Sequence, residues 1–157
     1  MSISARIAGH PVHPMLVSFP IALFVVALLC DLARIISGTS TPYWTLAYYS
    51  IGGGIVGALL AALPGFIDYL SLANTRVRRV GFWHMTANSG VVILFVINFY
   101  LRRPSGAAAG GGGKGLLLVL SSLGVLLLGI AGWLGGELVY VHGAGVDERT
   151  GGPRVRE

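Results

Sequence analysis

The stretch GLLLVLSSLGVLLLGIAGWLGGELVYV, residues 115–141, decides the fold class of this chain. It contains no charged residue before Glu137. A helix of this length, rising about 1.5 Å per residue, is long enough to cross a bilayer core of about 30 Å. The stretch therefore predicts a transmembrane helix.

Four such apolar stretches lie along the chain, separated by polar or flexible segments. The predicted spans are residues 14–36, 43–70, 82–101 and 115–141. A turn cluster at 37–42, a basic segment at 71–80 and a glycine-rich linker at 107–114 divide them. We predict an all-α, four-helix transmembrane bundle that forms one domain, residues 1–142, followed by a polar, flexible tail at 143–157.

The composition excludes several other classes of protein. Of the 157 residues 54% are hydrophobic and only 11% are charged, against about 25% charged in soluble domains. This excludes a disordered chain and an ordinary soluble enzyme, and makes the lipid bilayer the expected partner. The net charge of +5 is too small and too dispersed to indicate nucleic acid. The sequence contains no hydrolase, phosphate-loop or dinucleotide motif, and it leaves enzymatic activity and homo-oligomerisation open.

Basic residues predict the orientation in the membrane. Four spans place both termini and the connection between spans two and three on one side, side A. The other two connections lie on side B. Side A carries Arg6, Arg76, Arg78, Arg79, Arg149, Arg154 and Arg156, and side B carries Arg34, Arg102, Arg103 and Lys114. Because basic residues concentrate on the cytoplasmic side, we predict that both termini are cytoplasmic.

A weak internal repeat suggests two repeated helical hairpins. A shift of 71 residues places His13 on His84, Phe24 on Phe95 and Tyr69 on Tyr140, whereas a shift of 69 places Asp68 on Glu137. Two hairpins of the same orientation imply a pseudo-two-fold axis along the membrane normal. The two shifts disagree, so the sequence leaves a duplication open.

Small residues predict how the spans pack. They recur every four residues in the second span, at Gly53, Gly57, Ala61 and Gly65, and more loosely in the fourth, at Gly129, Gly132 and Gly136. Such stripes allow close approach of helices in lipid.

The scarce ionisable groups collect on side A. All four histidines and two carboxylates end or begin spans there: His10, His13, His84, His142, Asp68 and Glu137. Each histidine of the segment His10-Pro-Val-His-Pro14 precedes a proline, which favours an extended backbone. Imidazole is the commonest metal ligand and a frequent haem ligand. These six residues are the candidate ligands of haem b or of a transition metal (copper, zinc or iron).

Within this set the sequence predicts different roles. His84 and His142 close one hairpin at the same level and form the first candidate pair, and His10 and His13 form the second. Asp68 and Glu137 are candidate ligands or orienters of imidazole. Asn88, Tyr69 and Tyr140 are candidates to support the ligands. On side B, Asp31 and Arg34 are expected to neutralise each other across one helical turn.

Four motifs resemble those of a known family: His10-Pro-Val-His-Pro-Met-Leu-Val, Pro64-Gly-Phe-Ile-Asp-Tyr, His84 with Asn88, and Gly132-Trp-Leu-Gly-Gly-Glu-Leu-Val-Tyr-Val-His-Gly. The chain resembles, over nearly its whole length, a bacterial four-span membrane family of unknown function. Some members are fused to Rieske-type iron–sulfur domains. The resemblance implies the bacterial cytoplasmic (inner) membrane and electron transfer. With Cys30 as its only cysteine, this chain would need a separate redox protein as partner.

The leading functional hypothesis is therefore a membrane protein that binds haem or a metal in electron transfer. Two alternatives stay open: a structural or accessory membrane subunit without a cofactor, and a small transporter or proton-conducting module.

Overall fold

The computed structural model describes residues 5–8, 10–38, 41–103 and 113–145. Four helices account for most of them: α1 (Val12–Ser37), α2 (Thr41–Leu70), α3 (Thr75–Arg102) and α4 (Lys114–Gly136). A π-helical turn, Glu137–Val141, continues α4. Each helix is long and apolar enough to cross a membrane, which confirms the predicted all-α bundle of four spans. The predicted tail lies outside the described residues from position 146 onward.

Helix α3 begins well before its apolar stretch. The side chain of Asn74 accepts the backbone N–H groups of Arg76 and Val77, so that α3 begins at Thr75 and its first turns carry the arginines expected in a loop. Hydropathy does not detect a helix that extends past the apolar core of the bilayer.

The entry to α1 is a short antiparallel ladder. Strand β1 (Arg6–Ile7) pairs with β2 (His10–Pro11), and the backbone N–H of Val12 donates to the Ala5 carbonyl at 3.0 Å. His10 is extended as expected, but the expectation was wrong for His13, which lies in the first helical turn. The first turn leaves its N–H groups without helical partners, so Pro14 removes no helical hydrogen bond there.

The helices pack as two hairpins. α1 packs on α2 and α3 on α4, while α1–α4 and α2–α3 contacts join the hairpins, so α1 and α3 occupy opposite corners. Phe24 and Phe95 nevertheless meet across this diagonal, with parallel rings 4.0 Å apart. The rings reach the centre because Gly54 and Gly124 leave space: a Cβ on either would lie 2.5 or 2.6 Å from a ring carbon.

Many buried positions in the two hairpins correspond. A shift of 71 relates α1 to α3 and a shift of 70 relates α2 to α4. The matching buried pairs are Pro20/Val91, Phe24/Phe95, Ala27/Asn98, Asp31/Arg102, Ala47/Leu117, Ile51/Ser121, Gly54/Gly124 and Ala61/Ala131. This correspondence supports two repeated hairpins about a pseudo-two-fold axis. It matches Glu137 with Ile67 rather than with Asp68.

The predicted stripes of small residues pack against a neighbouring helix in α2 but not in α4. In α2 the predicted stripe packs against α1, since a Cβ on Gly53 or Gly57 would meet Leu23 or Pro20 at 3.3 Å. In α4 the predicted stripe was wrong, because a Cβ on Gly129 or Gly132 would meet nothing within 4 Å. The close approaches in α4 fall at Gly124 and Gly135 instead.

Candidate functional site

A pair of histidines crosses the bundle axis on side A. His13 from α1 and His84 from α3 have ring centroids 6.2 Å apart and planes at 87°. They occupy equivalent positions in the two hairpins, so the same local structure presents both. We refer to His13 and His84 as the histidine pair.

Each imidazole of the histidine pair is held by its own hairpin. Nδ1 of His13 donates to the Ala61 carbonyl and Nδ1 of His84 to the Ala131 carbonyl, both at 2.8 Å. A carbonyl oxygen can only accept, so Nδ1 carries the proton. The neutral ring therefore has its lone pair on Nε2.

Two glycines admit the rings at these positions. A Cβ on Gly65 would lie 2.7 Å from Nδ1 of His13, and one on Gly135 would lie 3.0 Å from Cε1 of His84. The sequence pattern had marked Gly65 as a small residue, but the carbonyls of Ala61 and Ala131 carry no sequence signal. The two imidazoles lie against helix backbone in both hairpins.

Asn88 is placed as the sequence suggested, one turn beyond His84. Its Nδ2 donates to Nε2 of His84 at 3.2 Å and to the His84 carbonyl at 2.9 Å. The amide thus supports the protonation state in which Nε2 of His84 is an acceptor.

The other predicted ligands do not join the histidine pair. His10 is exposed, and its Nδ1 donates to the Ala8 carbonyl at 3.1 Å. Asp68 accepts the backbone N–H of Ala5 at 2.9 Å and so ties the N-terminal ladder to the end of α2.

The remaining candidates lie around the π-helical turn and the end of α2. Nε2 of His142 is 3.6 Å from Oε1 of Glu137, across the turn. Tyr140 is 90% exposed, and the ring of Tyr69 lies under the Arg78 guanidinium at 5.5 Å. Within residues 5–8, 10–38, 41–103 and 113–145, no three His, Cys, Asp or Glu side chains come close enough to hold a metal.

Sequence reasoning missed a second polar cluster, which lies on side B. Arg102 donates through Nη2 to Asp31 at 2.8 Å and through Nε and Nη2 to Asn98 at 3.2 and 3.0 Å. Ser121 donates to Asp31 at 2.7 Å, and Asn98 donates to Ser121 at 2.9 Å and to the Leu117 carbonyl at 3.1 Å. All four polar side chains are buried, and we call them the side-B network.

The expected pairing of Asp31 with Arg34 was wrong. Asp31 bonds across the axis to Arg102, because the repeat places these two positions face to face. Asp31 and Arg102 are 71 residues apart, the shift that relates α1 to α3. The repeat in the sequence could therefore have predicted this ion pair.

The fold and its two axial clusters define a four-span integral membrane protein built from two similar hairpins. Residues 9–148 match the family described as "Predicted membrane protein (DUF2231)", and the chain belongs to that family. This confirms the resemblance to a four-span membrane family. No curated protein and no solved structure shows significant similarity to the chain.

Proposed function

We propose that the protein binds haem b through the histidine pair and serves electron transfer in the membrane. The observation that carries the proposal is the pair itself: two repeat-equivalent imidazoles, 6.2 Å apart across the bundle axis, each oriented by a backbone carbonyl. The assignment moves the first ligand pair from His84 and His142 to His13 and His84.

The number of ligands favours haem over a bare metal ion. Structural zinc sites use four protein ligands and catalytic ones three. The described part of the chain supplies two imidazoles and no third side chain of ligating type beside them. A haem iron would need no more than two ligands from the protein, which His13 and His84 could supply.

The separation of the rings also fits a shared iron. The ring centroids are 6.2 Å apart, so both imidazoles could contribute a nitrogen to one metal held between them. The carbonyl bonds at Nδ1 direct ligation to Nε2, as second hydrogen bonds do at metal-bound histidines generally.

Asn88 controls access to Nε2 of His84. If His84 held the iron through that nitrogen, its hydrogen bond of 3.2 Å with Asn88 would be lost, and the amide would still have its bond to the His84 carbonyl. Bound haem would supply one-electron redox chemistry, and the chain would set its potential through burial and hydrogen bonding. A separate redox protein would be the electron partner.

We also propose the bacterial cytoplasmic (inner) membrane, with both termini and the histidine pair on the cytoplasmic side. The excess of basic residues on side A supports this orientation. Membrane-impermeant thiol labelling of Ala73→Cys on side A and Gly115→Cys on side B tests it, both in a Cys30→Ser background. We expect labelling of Gly115→Cys alone in intact cells, and the reverse pattern would overturn the orientation.

The haem proposal is tested on the purified, folded protein by visible spectroscopy and elemental analysis. We expect a Soret band that shifts on reduction, and iron stoichiometric with the chain. His13→Ala or His84→Ala should abolish the band, whereas His13→Met should shift it, because a thioether replaces one axial imidazole. The matched control is His10→Ala, which removes an exposed imidazole and should leave the spectrum unchanged.

Two results would overturn the proposal. Folded protein without a Soret band and without stoichiometric iron would favour an accessory subunit. A spectrum lost in His142→Ala but retained in His13→Ala would show that the ligand pair is another one.

A further inference from the structure

The side-B end of the bundle buries more positive charge than the described residues neutralise there. Asp31, Arg34 and Arg102 are 3%, 2% and 0% exposed. Two buried guanidinium groups thus accompany one carboxylate. The other acidic residues belong to the side-A ends of α2 and α4, at Asp68 and Glu137, or to the tail beyond the described residues. Such an uncompensated buried charge is costly.

The same two arginines keep unused hydrogen-bond donors. Nε and Nη1 of Arg34 and Nη1 of Arg102 are shielded from solvent and have no hydrogen-bond partner in the described parts of the chain. The indole N–H of Trp44, near the side-B start of α2, is unpartnered in the same way. Buried donors are nearly always paired, and leaving a charged one unpaired costs more than leaving a neutral one.

Charge and donors together point to a missing acceptor. Arg34 lies one helical turn from Asp31 without forming an ion pair with it, and its guanidinium is close enough to interact electrostatically with both Asp31 and Arg102. A single negative charge would neutralise the excess. An acceptor without protons of its own could satisfy several N–H groups at once.

We propose that the side-B end binds a small, singly charged inorganic anion, such as chloride, between Arg34 and Arg102. The ligand must be small because the unpaired donors are shielded from solvent. Arg103, half-buried with its guanidinium carbon 3.7 Å from the centroid of the Tyr100 ring, adds positive charge at the same end of the bundle. The proposal is independent of haem, since the histidine pair lies at the other end of the axis.

Chloride itself is the probe for this site. The detergent-solubilised chain is titrated with sodium chloride against sodium gluconate at constant ionic strength. We expect a saturable rise of the unfolding midpoint by about 3 °C or more, because a ligand that binds only the folded state stabilises it. The ³⁵Cl NMR line should broaden in the presence of the folded protein beyond that of the detergent alone.

Two matched variants distinguish a binding site from general salt effects. Arg34→Met removes the excess charge and the two unpaired donors of Arg34 while keeping a long side chain. It should be insensitive to chloride, and in gluconate it should unfold at a higher temperature than the wild type. Arg78→Met removes an exposed arginine on side A and should retain the full chloride response.

The proposal fails if the wild-type midpoint is the same in chloride and gluconate and the ³⁵Cl line is not broadened. It also fails if Arg34→Met keeps the wild-type response. If Arg34→Met does not fold, the ³⁵Cl NMR line of the wild-type protein tests the proposal by itself. The line should broaden and should narrow again when nitrate competes with chloride. A line that does not broaden would overturn the proposed anion site.

Discussion

The two ends of the bundle axis carry repeat-equivalent side chains with different chemistry. On side A the residues are identical, His13 and His84, and each donates to a carbonyl within its own hairpin. On side B they are opposite in charge, Asp31 and Arg102, and bond directly across the axis at 2.8 Å.

This difference suits side A to hold a ligand and side B to hold the two hairpins together. Two identical imidazoles, each donating through Nδ1, share no proton with each other and present Nε2 as an acceptor, which suits a ligand shared by both. A carboxylate and a guanidinium attract each other directly, so that Asp31 and Arg102 join the hairpins, with Ser121 and Asn98 as further partners. Repeat-equivalent pairs thus form a candidate ligand site at one end of the axis and an ion pair at the other.

The largest expected effect comes from breaking the ion pair. Asp31→Asn leaves two buried guanidinium groups without a counter-charge, which should lower the free energy of unfolding by about 3–5 kcal/mol. Chemical unfolding in mixed micelles measures it. Asp68→Asn, which neutralises a partly buried carboxylate at the other end, should cost about 1.5 kcal/mol or less. Equal losses in the two variants would contradict the assignment of side B as the cohesive end.

A smaller effect should follow from crowding the phenylalanine stack between the two ends. In Gly54→Ala and Gly124→Ala the new methyl group would lie within 2.6 Å of a Phe24 or Phe95 ring carbon, and each should cost about 1–3 kcal/mol of unfolding free energy.

The control for that pair is Gly132→Ala. A Cβ there meets nothing within 4 Å, so alanine should be neutral or stabilise the helix by up to about 1 kcal/mol. Thermal unfolding of the three variants compares them directly. Destabilisation by Gly132→Ala as large as that by Gly54→Ala would argue against close packing at the axis.

The smallest effect is expected at the histidine pair. Gly65→Ala places a methyl group 2.7 Å from Nδ1 of His13 and should displace the ring from the Ala61 carbonyl, at a cost of about 1 kcal/mol. Gly135→Ala approaches Cε1 of His84 at 3.0 Å and should perturb it less. Imidazole ¹⁵N NMR shifts report each ring separately.

Gly136→Ala serves as the neighbouring control. Its Cβ has the ring of Tyr140 as nearest neighbour at 3.9 Å, an ordinary contact. A change of the His84 signals in Gly136→Ala equal to that in Gly135→Ala would mean that the helix, and not the glycine contact, responds.

Much of the fold could be predicted because lipid imposes a simple rule: a spanning helix must be apolar for about 20 residues. The rule weakens at the ends. The side chain of Asn74 begins α3 seven residues before its apolar stretch, at Thr75 rather than at 82, and a local cap of this kind lies outside hydropathy.

The site was predicted only in part, for reasons of geometry. The residue types of His13, His84 and Asn88 marked them as candidates. Their partners, however, include backbone carbonyls, which every residue carries and which the sequence therefore does not indicate. His142 stays in a contact with Glu137, because the π-helical turn keeps them together. Predicting the ion pair between Asp31 and Arg102 would have required aligning α1 with α3 at the single shift of 71 residues.

The ion pair across the axis also sets an order of events during biosynthesis. The two charges are 71 residues apart in the chain, so the carboxylate of the first hairpin is made well before its guanidinium partner emerges. The first hairpin alone cannot bury Asp31 against Arg102, so this contact forms only when the second hairpin packs against the first. A chain interrupted between the hairpins therefore lacks the ion pair that joins them.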